Sequence, residues 1–397
     1  MRAMTRRETV TETLRYTRNT LAAIDPAWLR AHTTAAWVDR YGLRAREYRL
    51  PKGQERRAEW AEQVGRDGHA LFTARSAEPS AALLREEKVV DILRRVWIQN
   101  FVMVDDVLRW RSNDATPPTG RYMRSPYDVD ARYATKRQTH WIGYNVHLTE
   151  TYGDDQPNVI THVETTHAAV SDNAVTETIH ASRSAHHLLP EKHVADTEYV
   201  NSTVFVSSKT TYKIERIGPT RGDNHWQAKH GDGFAARDFT IDWEQQHAVC
   251  PKGQISNSWT PAVDRFTNDV ITITFATTDC QACPALEQCT RATPPRRTIT
   301  VRPHAHHEAL LAGRKREQTD GYKTEYAKRA GIAGTMAQRV RTTEVRRSRY
   351  LGQAKTHLAH LMAAAIINIV RMLRWLAEEP KARTRPSTFA RLYQPST

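Results

Sequence analysis

The hydrophobic rhythm of this chain changes once along its length, and that change limits which folds are open to it. Through about residue 110 the apolar side chains recur at helical spacing. Asp25-Pro26 reads as an N-cap and first helical position, opening a helix through Trp28, Leu29, Trp37 and Val38. Val89, Leu93, Val96 and Trp97 stand at i, i+4, i+7 and i+8. Thr116-Pro117-Pro118-Thr119-Gly120 interrupts this pattern and marks a boundary. From Tyr127 the spacing becomes that of strands, at 141–148 and 158–163, joined by the turn-rich Gly153-Asp154-Asp155-Gln156-Pro157. A helix is expected over 172–189, then a short strand at 193–195 ending in Asp196, then a strand at 212–217. The order strand, strand, helix, strand, connector, strand predicts an α/β sheet with some antiparallel pairing.

The remainder divides by composition. Residues 235–300 hold all four cysteines and an alternating strand at 271–275. Near the C-terminus Leu358, Leu361, Ala365, Ile369, Met372 and Leu376 repeat at helical spacing, which predicts a core-packing helix. The expected organisation is a helical region (1–115), core strands (116–234), a four-cysteine insertion (235–300), C-terminal helices (301–380) and a flexible tail (381–397). No apolar leader follows Met1-Arg2-Ala3-Met4, and the longest apolar run, 361–370, is broken by Asn368 and too short to span a bilayer. A cytoplasmic, non-membrane protein is the expectation.

A net charge of +14 needs a partner, and it is concentrated: residues 296–349 carry 14 Lys/Arg against 5 Asp/Glu. That pattern is the footprint of a polyanion-binding surface. Arg339, Arg341, Arg346, Arg347, Arg349 and Lys355 are the candidates for phosphate contacts along double-stranded DNA. The plainer alternative is a solvated basic face.

The cysteines are more specific. Cys250-Pro251-Lys252-Gly253 precedes Cys280-Gln281-Ala282-Cys283, with Cys289 six residues further on. In a reducing compartment four thiols suit metal ligation better than disulfides. A C-x2-C turn aims two sulfurs at one tetrahedral zinc, and Cys250 and Cys289 complete the set. An iron–sulfur cluster accepts similar spacings, and four unliganded thiols are the plain alternative. A closed site of this kind holds a fold and does not catalyse.

Among the acids, Asp196 stands at the carboxyl end of a strand, where α/β sites gather. Phosphodiester chemistry with Mg²⁺ needs two or three such carboxylates, and a lone aspartate after a strand is as readily a turn cap. His304, His306, His307 and Glu308, and separately Asp105 and Asp106 at an expected helix end, read more simply as solvated groups.

Taken in order, 125–133, 141–150, 162–166, the Asp196 strand, 239–243, the cysteine unit and 326–357 resemble one family of bacterial insertion-sequence transposases of the DDE type. The resemblance implies an RNase H-like core with a cysteine-rich insertion before the helix bearing the last carboxylate. It also implies a two-metal, Mg²⁺-dependent reaction that nicks and joins DNA at the element's ends. It carries the second carboxylate onto Asp196. The family's first aspartate belongs on a strand upstream of the helix that begins near Thr11, outside this sequence. Asp128 and Asp130 match a different segment of the family's pattern. The last glutamate falls between Ile332 and Gly334, where this chain has Ala333. Glu344 and Glu325 lie roughly 16 and 12 Å from that position along a helix axis. The expectation is therefore a transposase relative that does not cut alone. Its rival is a DNA-binding regulator that occupies element ends in the cytoplasm, near the nucleoid, and a homodimer is allowed by either reading.

Overall fold

The computed structural model describes residues 4–42, 50–77, 87–153, 155–229 and 231–380. Among these residues the helices α1 (Arg6–Ile24), α2 (Pro26–His32), α3 (Ala36–Tyr41), α4 (Gln54–Ala77) and α5 (Lys88–Asn100) come first. Strands β1 (Phe101–Val104), β2 (Val107–Trp110), β3 (Arg132–Lys136), β4 (Thr139–Glu150) and β5 (Ile160–His167) follow. Then come α6 (Asp172–Ala185), β6 (Lys192–Val194), α7 (Ser202–Thr210) and β7 (Glu215–Ile217). The cysteine-bearing segment holds β8 (Thr240–Asp242), β9 (His247–Val249), β10 (Ser258–Val263), β11 (Asp269–Thr274) and β12 (Thr298–Val301). Helices α8 (His304–Glu317), α9 (Asp320–Ala327), α10 (Ala330–Thr343) and α11 (Gln353–Leu376) end the described chain. Residues 1–170 with 335–397 form one compact unit and residues 171–334 the other. The expected flexible tail lies outside the described residues.

In the first unit, α1 opens on a capping box: Thr5 Oγ1 accepts from Glu8 N (3.3 Å) and Glu8 Oε2 accepts from Thr5 N (2.7 Å). Asp25 Oδ1 accepts from Trp28 N at 2.9 Å with Pro26 at the first position of α2, as the sequence predicts. That helix stops at Thr33, however, and Trp37 and Val38 belong to the separate α3. Val10, Leu14, Val64, Leu93 and Val96 are almost wholly buried and form the core between α1, α4 and α5. Gly68 lets α4 and α5 approach closely, since a Cβ there would come within 2.1 Å of the Trp97 ring.

Residues 101–110 are not the end of the helical region but a β-hairpin, with Val104 opposite Val107. Asp105 and Asp106 are its two-residue turn, both at positive φ (49° and 56°), the backbone a tight hairpin requires. Alternating β-branched and aromatic residues override the helical reading here.

Strands β3, β4 and β5 make an antiparallel sheet, and α11 packs on β5. Asn368 fixes the contact, its Oδ1 accepting from Ile160 N (2.7 Å) and its Nδ2 donating to Ile160 O (2.8 Å). Two expectations fail at α11. By length and composition it is the one helix among the described residues apolar enough to cross a membrane. Its sheet-facing side is polar, though, with Gln353 Nε2 donating to Thr165 O (2.8 Å) and both His357 and His360 hydrogen-bonded with the Thr165 hydroxyl. The stripe expected in a core also faces solvent: Leu358, Ile369 and Leu376 are 59%, 57% and 67% exposed. The buried face is Thr356, His360, Ala363, Ala364 and Ile367.

In the second unit β6 and β7 pair in parallel. β10, β11 and β12 form an antiparallel sheet, and Phe239, Ala248, Ile273, Phe275, Ile299 and Val301 make the core of the cysteine-bearing segment. The fold is α/β with several small sheets. Strand β4 belongs to the first unit and β6 to the second. With three residues each, β6 and β7 offer few ladder hydrogen bonds to a further strand.

Candidate functional site

Strand β6 is held by Ala195 N donating to Ile217 O at 2.9 Å, which delivers Asp196 to the strand's carboxyl end. There Asp196 caps a 3-10 turn (Thr197–Tyr199), its Oδ1 accepting from Glu198 N at 3.0 Å. Behind it Arg216 of β7 is buried, with Nη2 donating to Tyr199 O at 3.2 Å while Nε and Nη1 find no partner among the described residues. Burial lowers its pKa to about 10, against the opposing pull of Tyr199 and Asp196. His180 of α6 is also buried, hydrogen-bonded with His193 of β6 at 2.9 Å, and burial followed by Arg216 pushes it down to about 4. Asp196 therefore has a buried cation within electrostatic reach, a charge that competes with a bound divalent ion.

The other acids are engaged elsewhere. Asp128 is buried, and its Oδ1 accepts from the Tyr144 hydroxyl (2.5 Å) and Ala131 N (3.3 Å). Burial first, and then Asp128, holds Tyr144 far above the usual phenol range. Asp130 Oδ2 accepts from the backbone of Gln353, the first residue of α11, at 3.2 Å. Ala333 is exposed on α10. Its acidic neighbours in sequence are paired, Glu325 with Lys328 (2.8 Å) and Glu344 with Arg349 (3.0 Å).

Two residues beyond Ala333 lies a group that sequence reasoning missed. Thr335 Oγ1 donates to Glu150 Oε2 at 2.6 Å, and the same oxygen accepts from Arg371 at 3.0 Å. Arg371 also donates to Asn158 O at 2.7 Å, which closes the network. The signal was Arg371 itself, since a cation on the sheet-facing side of an apolar helix must find an anion. Among the described residues, no three His, Cys, Asp or Glu side chains stand close enough to hold a metal ion. The carboxylates present thus do not fit the pair of Mg²⁺ ions that DDE chemistry implies.

Cys250, Cys280, Cys283 and Cys289 line one cleft with Arg297 and Phe234, but the sulfurs do not close into the expected tetrahedron. Bringing four thiols together costs desolvation and mutual repulsion that only a cation offsets. Backbone N–H groups nonetheless aim at two of the four sulfurs. Cys250 Sγ accepts from the backbone of Lys252 (3.4 Å) and Gln254 (3.3 Å), and Cys280 Sγ from Arg297 N (3.3 Å). Burial raises the Cys289 thiol to about 11, with Arg297 opposing the shift and the three other cysteines adding to it.

Of the basic candidates, Arg341, Arg346, Arg347, Arg349 and Lys355 are exposed. Arg339 must be withdrawn: it is fully buried, and a side chain without solvent access cannot contact a phosphate backbone. The histidine tract at the start of α8 is packed against its surroundings, His304 stacking on Trp243 at 4.6 Å and His306 hydrogen-bonded with Ser202 at 3.4 Å.

No characterised protein and no solved structure matches this chain. Residues 249–373, from the strand before Cys250 through most of α11 but without Asp196, match the transposase DDE domain, and that similarity supports a DDE-type transposase.

Proposed function

We propose that this chain is a DDE transposase relative that binds double-stranded DNA at insertion-sequence ends in the cytoplasm without cutting it. The observation that carries the reading is Ala333. The position from which the family projects its last carboxylate offers a methyl group. Glu150, the acid bound by Thr335 two residues further on, is also held by Arg371. Asp196 caps its own turn, and without the carboxylate missing at Ala333 a pair of ions about 4 Å apart lacks a ligand. DNA binding is supported by the exposed Arg341, Arg346, Arg347, Arg349 and Lys355. Zinc is the metal proposed for the four cysteines, which it would draw together from the walls of their shared cleft.

The test is a nicking assay on element-end DNA with Mg²⁺ or Mn²⁺. No cleavage is expected from the parent chain, because Ala333 supplies no ligand to the metal ions. Metal-dependent nicking by the parent that Asp196→Asn abolishes would overturn the reading.

A further inference from the structure

Among the described residues, helix α11 is fixed on one side and bare on the other. Asn368 and Arg371 bind it to Ile160 and Glu150, while ten large apolar side chains along its other face are 37–67% exposed. Leu358, Met362, Ile366, Ile369, Leu373 and Leu376 follow one another at steps of four, four, three, four and three residues. That averages to the period of a straight helix, so the stripe runs parallel to the axis for roughly 27 Å at ~1.5 Å per residue. The exposed side-chain surface is on the order of 1,000 Å², beyond the ~300–600 Å² patch of an ordinary monomer and comparable with the ~800 Å² that each partner buries in a stable complex.

We propose that this face joins two copies of the chain through antiparallel packing of α11 against α11. The charges at the two ends argue for the partner and its direction. Exposed Lys355 stands at the start of the helix, and exposed Glu378 and Glu379 lie just beyond its end. An antiparallel pair sets each Lys355 against the other copy's Glu378 and Glu379, and opposes the two helix dipoles favourably. The arrangement is isologous, so it closes at two copies. It is independent of whether the protein cuts DNA.

Sedimentation velocity of the full chain at micromolar concentration should give a dimer. Ile366→Glu with Leu373→Glu should raise the dissociation constant by about 100-fold or more while far-UV circular dichroism stays unchanged, since both side chains are exposed in the single copy. Lys355→Glu should weaken the dimer several-fold, and adding Glu378→Lys with Glu379→Lys should restore it. A monomeric parent would overturn the proposal, including one that floats with anionic lipid vesicles. So would a double glutamate variant that dimerises like the parent, or a charge exchange that rescues nothing.

Discussion

Arg339 has none of its three guanidinium nitrogens partnered among the described residues, yet it is wholly buried. An unpaired buried cation is costly, and its pKa falls to about 10 through desolvation. The effect spreads to His360, which burial, then Arg339 and His357, push down to about 4. His180 in the other unit is lowered equally, by burial and Arg216. Both histidines thus remain neutral in the folded chain, while in the unfolded chain they protonate near pH 6.5. The folded pKa is the lower one, so unfolding takes up protons between about pH 6.5 and 4. Stability from these groups is full above pH 6.5 and is lost as pH falls, by ~1.4 kcal/mol per pH unit for each histidine. Urea midpoints should drop over that window. In His180→Asn with His360→Asn the dependence should flatten, and an equally steep drop there would assign it to other groups.

At the scale of elements, β4, β5 and β11 are legible in the sequence because alternating β-branched and aromatic residues have few other uses. The stripe on α11 is legible as a helix but not as a surface: periodicity tells which residues share a face, never what covers it. The Glu150–Arg371 pair was hidden for a related reason, since its partners are 221 residues apart. The cysteine segment shows both sides of this limit. Spacing alone predicts one cleft for four sulfurs, and backbone N–H groups donate to two of them. Closure depends on an ion that spacing cannot supply. Purified protein should carry about one zinc per chain, and Cys283→Ser should release it and loosen residues 235–300 while the rest stays folded. A stable preparation without metal would remove the assignment, and visible absorption would point to iron and sulfide instead.

For the whole molecule the excess of positive charge is the governing property. Counterions released from DNA should make affinity fall steeply with salt. Arg346→Ala, Arg347→Ala and Arg349→Ala together should weaken binding and flatten the salt slope by up to ~2.7 in log–log form, about 0.9 for each lost phosphate contact. Arg349 already pairs with Glu344 at 3.0 Å, so its share should be the smallest. Parent-like binding by the triple variant would make these arginines a solvated face.

The first unit is discontinuous, and that bears on how the chain leaves the ribosome. Residues 171–334 are one uninterrupted stretch and can fold as soon as they emerge. β5 must wait for α11, because Ile160 and its partner Asn368 lie 208 residues apart. At a synthesis rate of ~5–20 residues per second the apolar side of the nascent β4–β5 hairpin, with Ile160 and Val163, stays uncovered for roughly 10–40 s. Translation speed and chaperone access therefore act on this sheet before any DNA does.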